Sequence, residues 1–296
     1  MAKLSGWIQN KLRNISLPGF QKLPVLDVAK FFFLGIKNGS IRQRAGSVAY
    51  SMFLSIFPAV IFLFTLIPYI PIENFQESLL GLLANFIPNS VYTSVETTIV
   101  DIVTCQRSSL LSLTLFFTLF FASNGFVALM RAFNATYHSV ENRNWWKRRL
   151  IAILMIFIEV VLTTIAVGLI IVNKSVYNRF FTGHAFLLYV FTVLRILTGI
   201  GLFFFSISFL FFFAPAKKGR FHFISPGATL ATSLIIAASY GFRFFVNNFG
   251  QFNKLYGSLS SIIVALIYIY ILCFALIIGF ELNASIMEHR HHDRGH

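Results

Sequence analysis

Charge is what this chain has least of. Only 11% of its 296 residues are Asp, Glu, Lys or Arg, whereas soluble domains average about 25%. That shortage excludes a soluble domain for most of the sequence, and a hydrophobic fraction of 57% with a mean hydropathy of +0.76 points to a polytopic membrane protein instead. Cysteine is nearly absent. Cys105 and Cys273 are too few for a disulfide framework, and one of them lies inside an apolar run. There is no cysteine-based zinc spacing, no P-loop and no G-x-S-x-G turn, so ATP-driven transport and the common hydrolases find no support, and no cofactor or metal is expected. A cleavable leader is missing as well. Met1 to Arg44 is basic and interrupted, which leaves the first true span to direct insertion. No motif is shared between the first three apolar runs and the last three.

What is present is a series of long apolar runs. The most complete is Asn253 to Ala284, with no charged residue between Lys254 and Glu281. A helix rises about 1.5 Å per residue, so about 20 such residues cross a hydrocarbon core of ~30 Å. Applied to the whole chain, this predicts an all-α polytopic protein with six spans, at about 45–70, 108–130, 150–172, 186–213, 227–246 and 256–280. The formal charge of +14 is distributed in blocks between these runs, a topology signal rather than a nucleic-acid footprint. Six of the 24 Lys and Arg fall outside segments 1–44, 131–149, 214–226 and 281–296: Arg107, Lys174, Arg179, Arg243 and Lys254 in the opposite connections, and Arg195 within a span. Both termini are therefore expected in the cytoplasm, with the basic face against anionic headgroups. No nucleic-acid partner is expected, and a homo-oligomer is compatible with the pattern.

The connections carry their own patterns. Residues 1–44 form a basic arm, in which Val28, Phe31, Phe32 and Gly35 suggest an interfacial amphipathic helix. Segment 72–107 holds Glu73, Glu77, Glu96 and Asp101, with Val91, Val95, Ile99, Ile102 and Val103 on one stripe, as in amphipathic helices over the outer face. Trp145 and Trp146 suit the interface beside Lys147, Arg148 and Arg149. The tail 285–296 contains His289, His291, His292 and Asp293, read as a disordered His-rich segment rather than a metal site.

Polar groups inside the spans are the candidate functional residues. In the first span, Ser47, Tyr50, Ser51 and Ser55 can share a helix face. Pro58 removes a backbone hydrogen bond in mid-span and frees the carbonyl near Leu54, which either bends a solute path or is a packing bend satisfied by Ser55. Asn124 places an amide in apolar surroundings, where helix-to-helix glue is the safer reading. Glu159, well inside the third span, is the strongest single candidate, because a carboxylate at that depth is costly unless paired, protonated or hydrated. Its alternative is a neutral packed acid bonded to Thr163 or Thr164. Arg195 lies about 27 Å before Phe213 at the helical rise, near the opposite interface, so the two read as separate polar stations rather than a salt bridge. The turn Tyr256-Gly257-Ser258, continued by Ser261, opens the last span as a helix N-terminus able to receive an anionic group or to pack tightly. Glu281, at the other end, reads as an interfacial or helix-packing carboxylate.

Two stretches resemble the YihY/BrkB family of bacterial inner-membrane proteins. One is Tyr256-Gly257-Ser258 with Gly279, Glu281, Leu282, Asn283 and Ala284; the other is Arg44 ahead of Ala49-Tyr50 and Phe53-Leu54-Ser55-Ile56-Phe57-Pro58. The basic, aromatic segment before the third span is similar too. The resemblance implies a bacterial inner-membrane location but supplies no role for Glu159. The residues together suggest a transporter or exporter of a small solute or ion. A scaffold or lipid-interacting protein is the rival reading, and the family's former ribonuclease label is a weaker one.

Overall fold

The computed structural model describes residues 32–33, 40–69, 100, 108–136, 143–180, 185–216, 224–249 and 259–293. Among them the chain is all helical, with no strand. The helices are α1 (Ile41–Leu66), α2 (Ser108–Thr136), α3 (Trp145–Phe180), α4 (Ala185–Phe213), α5 (Pro226–Phe249) and α6 (Leu259–Asp293), with a short 3-10 turn at Ile67–Tyr69. Six of these segments are long and apolar enough to cross a membrane: Ile41–Leu66, Ser108–Thr136, Trp145–Ala166, Thr192–Phe213, Pro226–Val246 and Ile262–Met287. The interfacial helix expected in the basic arm, the amphipathic segment 72–107 and the Tyr256-Gly257-Ser258 turn lie outside the described residues, save Phe32, Phe33 and Val100.

Local chemistry sets the helix ends. Ser40 adopts a positive φ of 46°, which turns the chain so that its carbonyl accepts from Gln43 and Arg44 at 3.0 and 3.1 Å. Helix α5 starts as its sequence dictates: Ser225 is the cap, Pro226 occupies the first helical position, and the Ser225 hydroxyl accepts from Ala228 N at 3.2 Å. Helix α4 stops at Phe213 because Pro215 follows and cannot continue it. Helix α6 continues through Asp293, so the expected disordered tail is largely helical. The reason is packing. Ala284, Ser285 and Ile286 are buried, and the Ser285 hydroxyl donates to Glu281 O at 2.8 Å.

The chain divides into two compact units, residues 1–50 with 126–296, and residues 51–125. In the smaller unit the Thr65 and Thr114 hydroxyls meet at 3.2 Å, and Gly125 lets α2 run so close to α1 that a Cβ there would lie 2.9 Å from Met52 Cγ. In the larger unit α5 and α6 pack most extensively, followed by α3 with α4 and α4 with α5. Its core is aromatic. Phe133 stacks on Phe280 at 4.1 Å, and Phe211 meets both edge-on at 5.4 Å, contacts worth about 0.5–1.5 kcal/mol each beyond area burial. Along α3 the apolar side chains of Leu150, Leu154, Phe157 and Val161 stay exposed, as a hydrocarbon-facing surface requires.

Candidate functional site

Glu159 sits on α3 at a half-buried position facing α4. The Ser206 hydroxyl of α4 donates to its Oε2, while Oε1 is buried and has no hydrogen-bond partner among the described residues. Ser206, 47 residues away, was not foreseeable from spacing. The partners suggested by sequence are not used: Thr164 donates to its own helix at Val160 O, 2.7 Å, and Thr163 is exposed. Two residues beyond Ser206, Ser208 is fully buried, and its hydroxyl also lacks a partner among the described residues. A carboxyl oxygen left unmatched in apolar surroundings is costly, and the cost disappears when a proton, a cation or a polar solute supplies the missing contact.

The other predicted residues divide between the two units. Ser51, Ser55, Pro58 and Asn124 belong to the smaller one, Tyr50 and Glu159 to the larger. Helix α1 runs through Pro58, and the Ser55 hydroxyl donates to Met52 O at 2.6 Å rather than to the carbonyl of Leu54. Tyr50 is exposed and Asn124 half-buried. Arg195 and Ser261 are residues of α4 and α6 whose side chains lie outside the description, as do Tyr256, Gly257 and Ser258 altogether.

A second polar cluster, made by the ends of α1, α2, α5 and α6, is built differently. Arg44 of α1 reaches Glu281 Oε2 of α6 at 3.2 Å, with side chains 10% and 7% exposed. The same guanidinium donates to Ala132 O at 2.9 Å and to the Thr136 hydroxyl, which in turn donates to Glu281 Oε2 at 3.2 Å. Glu281 therefore serves as a helix-packing carboxylate. Two residues on, Asn283 Oδ1 accepts from Gly227 N and its Nδ2 donates to Ser225 Oγ, both at 2.8 Å, so α6 caps α5. Gly279 makes this approach feasible: a Cβ there would lie 2.5 Å from Gly227 O and 2.6 Å from Ala231 Cβ. Nearby, Asn134 Oδ1 accepts from Ala216 N at 2.8 Å, and Arg143 donates to Ala214 O at 3.3 Å and to Pro215 O. Here most polar groups bond across helices, with the buried Arg44 Nε left over among the described residues, which is the chemistry of helix assembly.

This cluster gives the Gly279-Glu281-Asn283 pattern a packing role. The family described as Virulence factor BrkB matches residues 32–296. The chain is 29% identical to the ribonuclease-like protein YfkH of Bacillus subtilis, over 84% of this chain and 91% of that one. It is 25% identical to a UPF0761 membrane protein of Vibrio campbellii, over 95% and 90% of the two chains. A UPF0761 membrane protein of Vibrio parahaemolyticus is 26% identical over 88% and 82%. No solved structure matches. With six apolar helices and a family match over nearly its whole length, the chain belongs to the BrkB family of multi-pass membrane proteins.

Proposed function

We propose that this protein moves a small solute or ion across a bacterial inner membrane, with the α3–α4 pair around Glu159 as a polar station on the path. The observation that carries the reading is a carboxyl within an apolar span, one of whose oxygens is buried and met by none of the described residues. Arg44 and Glu281 bond to each other across α1 and α6, with only Arg44 Nε left over among the described residues, and Asn283 caps α5, so helix assembly accounts for these bonds. Glu159 has one oxygen on Ser206 and one buried oxygen without a partner among the described residues, and the depth of this carboxyl in a span is what assembly alone does not account for. The excess of Lys and Arg in segments 1–44, 131–149 and 214–226 supports placing the α2–α3 and α4–α5 connections and both termini in the cytoplasm. This reading treats the protein as a transporter rather than an enzyme. The ribonuclease-like name of the Bacillus relative is tested directly, by incubating purified protein with RNA in the presence and absence of divalent metal.

The transport test uses proteoliposomes with an internal pH-sensitive dye and an imposed proton or potassium gradient. Glu159→Gln keeps the shape and the Ser206 contact but loses the charge. A contact to a charged group is worth about 1.5–3 kcal/mol, so flux should fall roughly 10- to 100-fold with the fold intact by circular dichroism. Equal flux in wild type and Glu159→Gln would remove Glu159 from the path. Wild-type vesicles that show no ion flux but scramble a fluorescent phospholipid would replace solute transport with the lipid reading.

A further inference from the structure

Burial in the larger unit is concentrated at one end of each helix. In α3 it runs no further than Met155, in α4 it begins at Ile207, in α5 it stops at Ile235 and in α6 it begins in earnest at Cys273. Past these limits Ser260 is the sole buried residue among those described in the four helices. Lipid-facing surface alone does not produce this, because the faces buried at one end are the ones that open further along. On α4, Phe211 and Ser208 are 2% and 1% exposed, whereas Leu197, on the same stripe by spacings of three and four, is 59% exposed. On α6, Ile277 is fully buried and Leu266, eleven residues earlier on the same face, is 38% exposed. Glu159 lies at the limit itself. It follows Met155 by one turn, and its partner Ser206 immediately precedes Ile207.

The buried end is closed in two layers. Phe133 of α2, Phe211 of α4 and Phe280 of α6 form a plug of three rings, and the two that stack at 4.1 Å leave no room for a water between them. Around the plug, cross-helix bonds fasten the same ends together. Arg44 of α1 holds Glu281 of α6 and Thr136 of α2, Asn134 of α2 holds Ala216 N after α4, and Asn283 of α6 holds Gly227 N of α5. At the helical rise this layer is about 10–20 Å deep, a third to two-thirds of a ~30 Å hydrocarbon core. Past the limit, Ser239 and Tyr268, 2.9 Å apart, keep α5 and α6 paired without burying either. We propose that the buried end is a closed gate, with the Phe133–Phe211–Phe280 plug as its barrier and the Arg44–Glu281 bond as its latch, and that solvent reaches the level of Glu159 from the opposite end alone. The word gate rests on the transport reading, since a seal needs to open only where something passes. The one-sided access stands without it.

Thiol labelling reads the access directly. In full-length protein with Cys105→Ser and Cys273→Ala, a single introduced cysteine is the only target for a membrane-impermeant methanethiosulfonate added to one side of the vesicle or the other. Trp146→Cys, at an exposed position where α3 begins, marks the sealed side. Leu162→Cys is the probe, because Leu162 lies seven residues beyond the buried Met155 on the same face of α3 and is itself half-exposed. It should react from the side opposite to Trp146→Cys and not from the same side. Adding Phe280→Ala should raise its rate from the Trp146 side roughly tenfold or more, the ratio that weakening the closed state by ~1.4 kcal/mol produces. Arg44→Met is the second gate variant should Phe280→Ala not insert. Reaction from the Trp146 side in the protein with its plug intact overturns the seal, and reaction from neither side overturns the open end. One-sided reaction that both gate variants leave unchanged overturns the plug and latch. Labelling needs no flux, so one-sided access in a protein that passes no ion keeps the seal and sinks the transport reading alone.

Discussion

Gly227→Ala is expected to lower the apparent melting temperature of the purified protein by roughly 10 °C, taking 2–4 °C per kcal/mol for a chain of this size. The cause is geometric. A Cβ at Gly227 would fall well inside contact distance of the Gly279 carbonyl and the Asn283 side chain, and the first of these is backbone that cannot rotate away. Helices α5 and α6 must separate, and overpacking of this kind costs ~1–3 kcal/mol. Separation also pulls Asn283 off Gly227 N and Ser225, a lost cap worth about 1 kcal/mol more. A total near 3 kcal/mol is a large share of the ~5–15 kcal/mol that holds typical domains together. Gly241→Ala, on the same helix, meets nothing within 4 Å and should be neutral or stabilising by up to ~1 kcal/mol. Should Gly227→Ala melt together with Gly241→Ala, the α5–α6 crossing is not the tight contact described.

These glycines show where sequence stops being informative. The six spans are legible because apolar length is a property of one segment at a time, and a membrane offers few alternative structures to such a run. Pairings are not legible in that way. Gly227 reads only as a residue following a helix-starting proline, and nothing local says that Gly279 will press against it. Arg44 reads as one more charge of the basic arm, since its partner Glu281 lies 237 residues away. Glu159 stands out because a carboxyl within a span is rare, yet its partner is a serine in a Phe-rich run, indistinguishable by composition from hydroxyls that bond only to their own helix. A helix-extending tail was hidden for the same reason: Ser285 and Ile286 gain their burial from neighbours the sequence does not reveal. The resemblance to a known family picks out Gly279, Glu281 and Asn283 as one pattern, and the geometry gives each of them a packing role in this chain.

The Arg44–Glu281 pair leads to the other large effect, and its two halves are not equivalent. Glu281→Leu leaves a guanidinium, 10% exposed, facing a leucine, with Ala132 O and the Thr136 hydroxyl as its remaining partners. Breaking a buried pair in this way costs about 3–5 kcal/mol. Arginine has no accessible neutral form, so the charge remains. Arg44→Met strands the carboxyl instead, but a carboxyl can take up a proton, keep the Thr136 contact and lie neutral, so this variant should be the milder of the two. Putting both changes together replaces two desolvated charges by two apolar side chains of similar volume, an exchange that is often neutral. The double variant should therefore melt closer to wild type than Glu281→Leu does, a coupling of several kcal/mol read from a thermal double-mutant cycle in detergent. A double variant as unstable as Glu281→Leu would mean that the two charges act separately. Arg44 would then be serving some partner other than the last helix, such as Ala132 O and the Thr136 hydroxyl of α2.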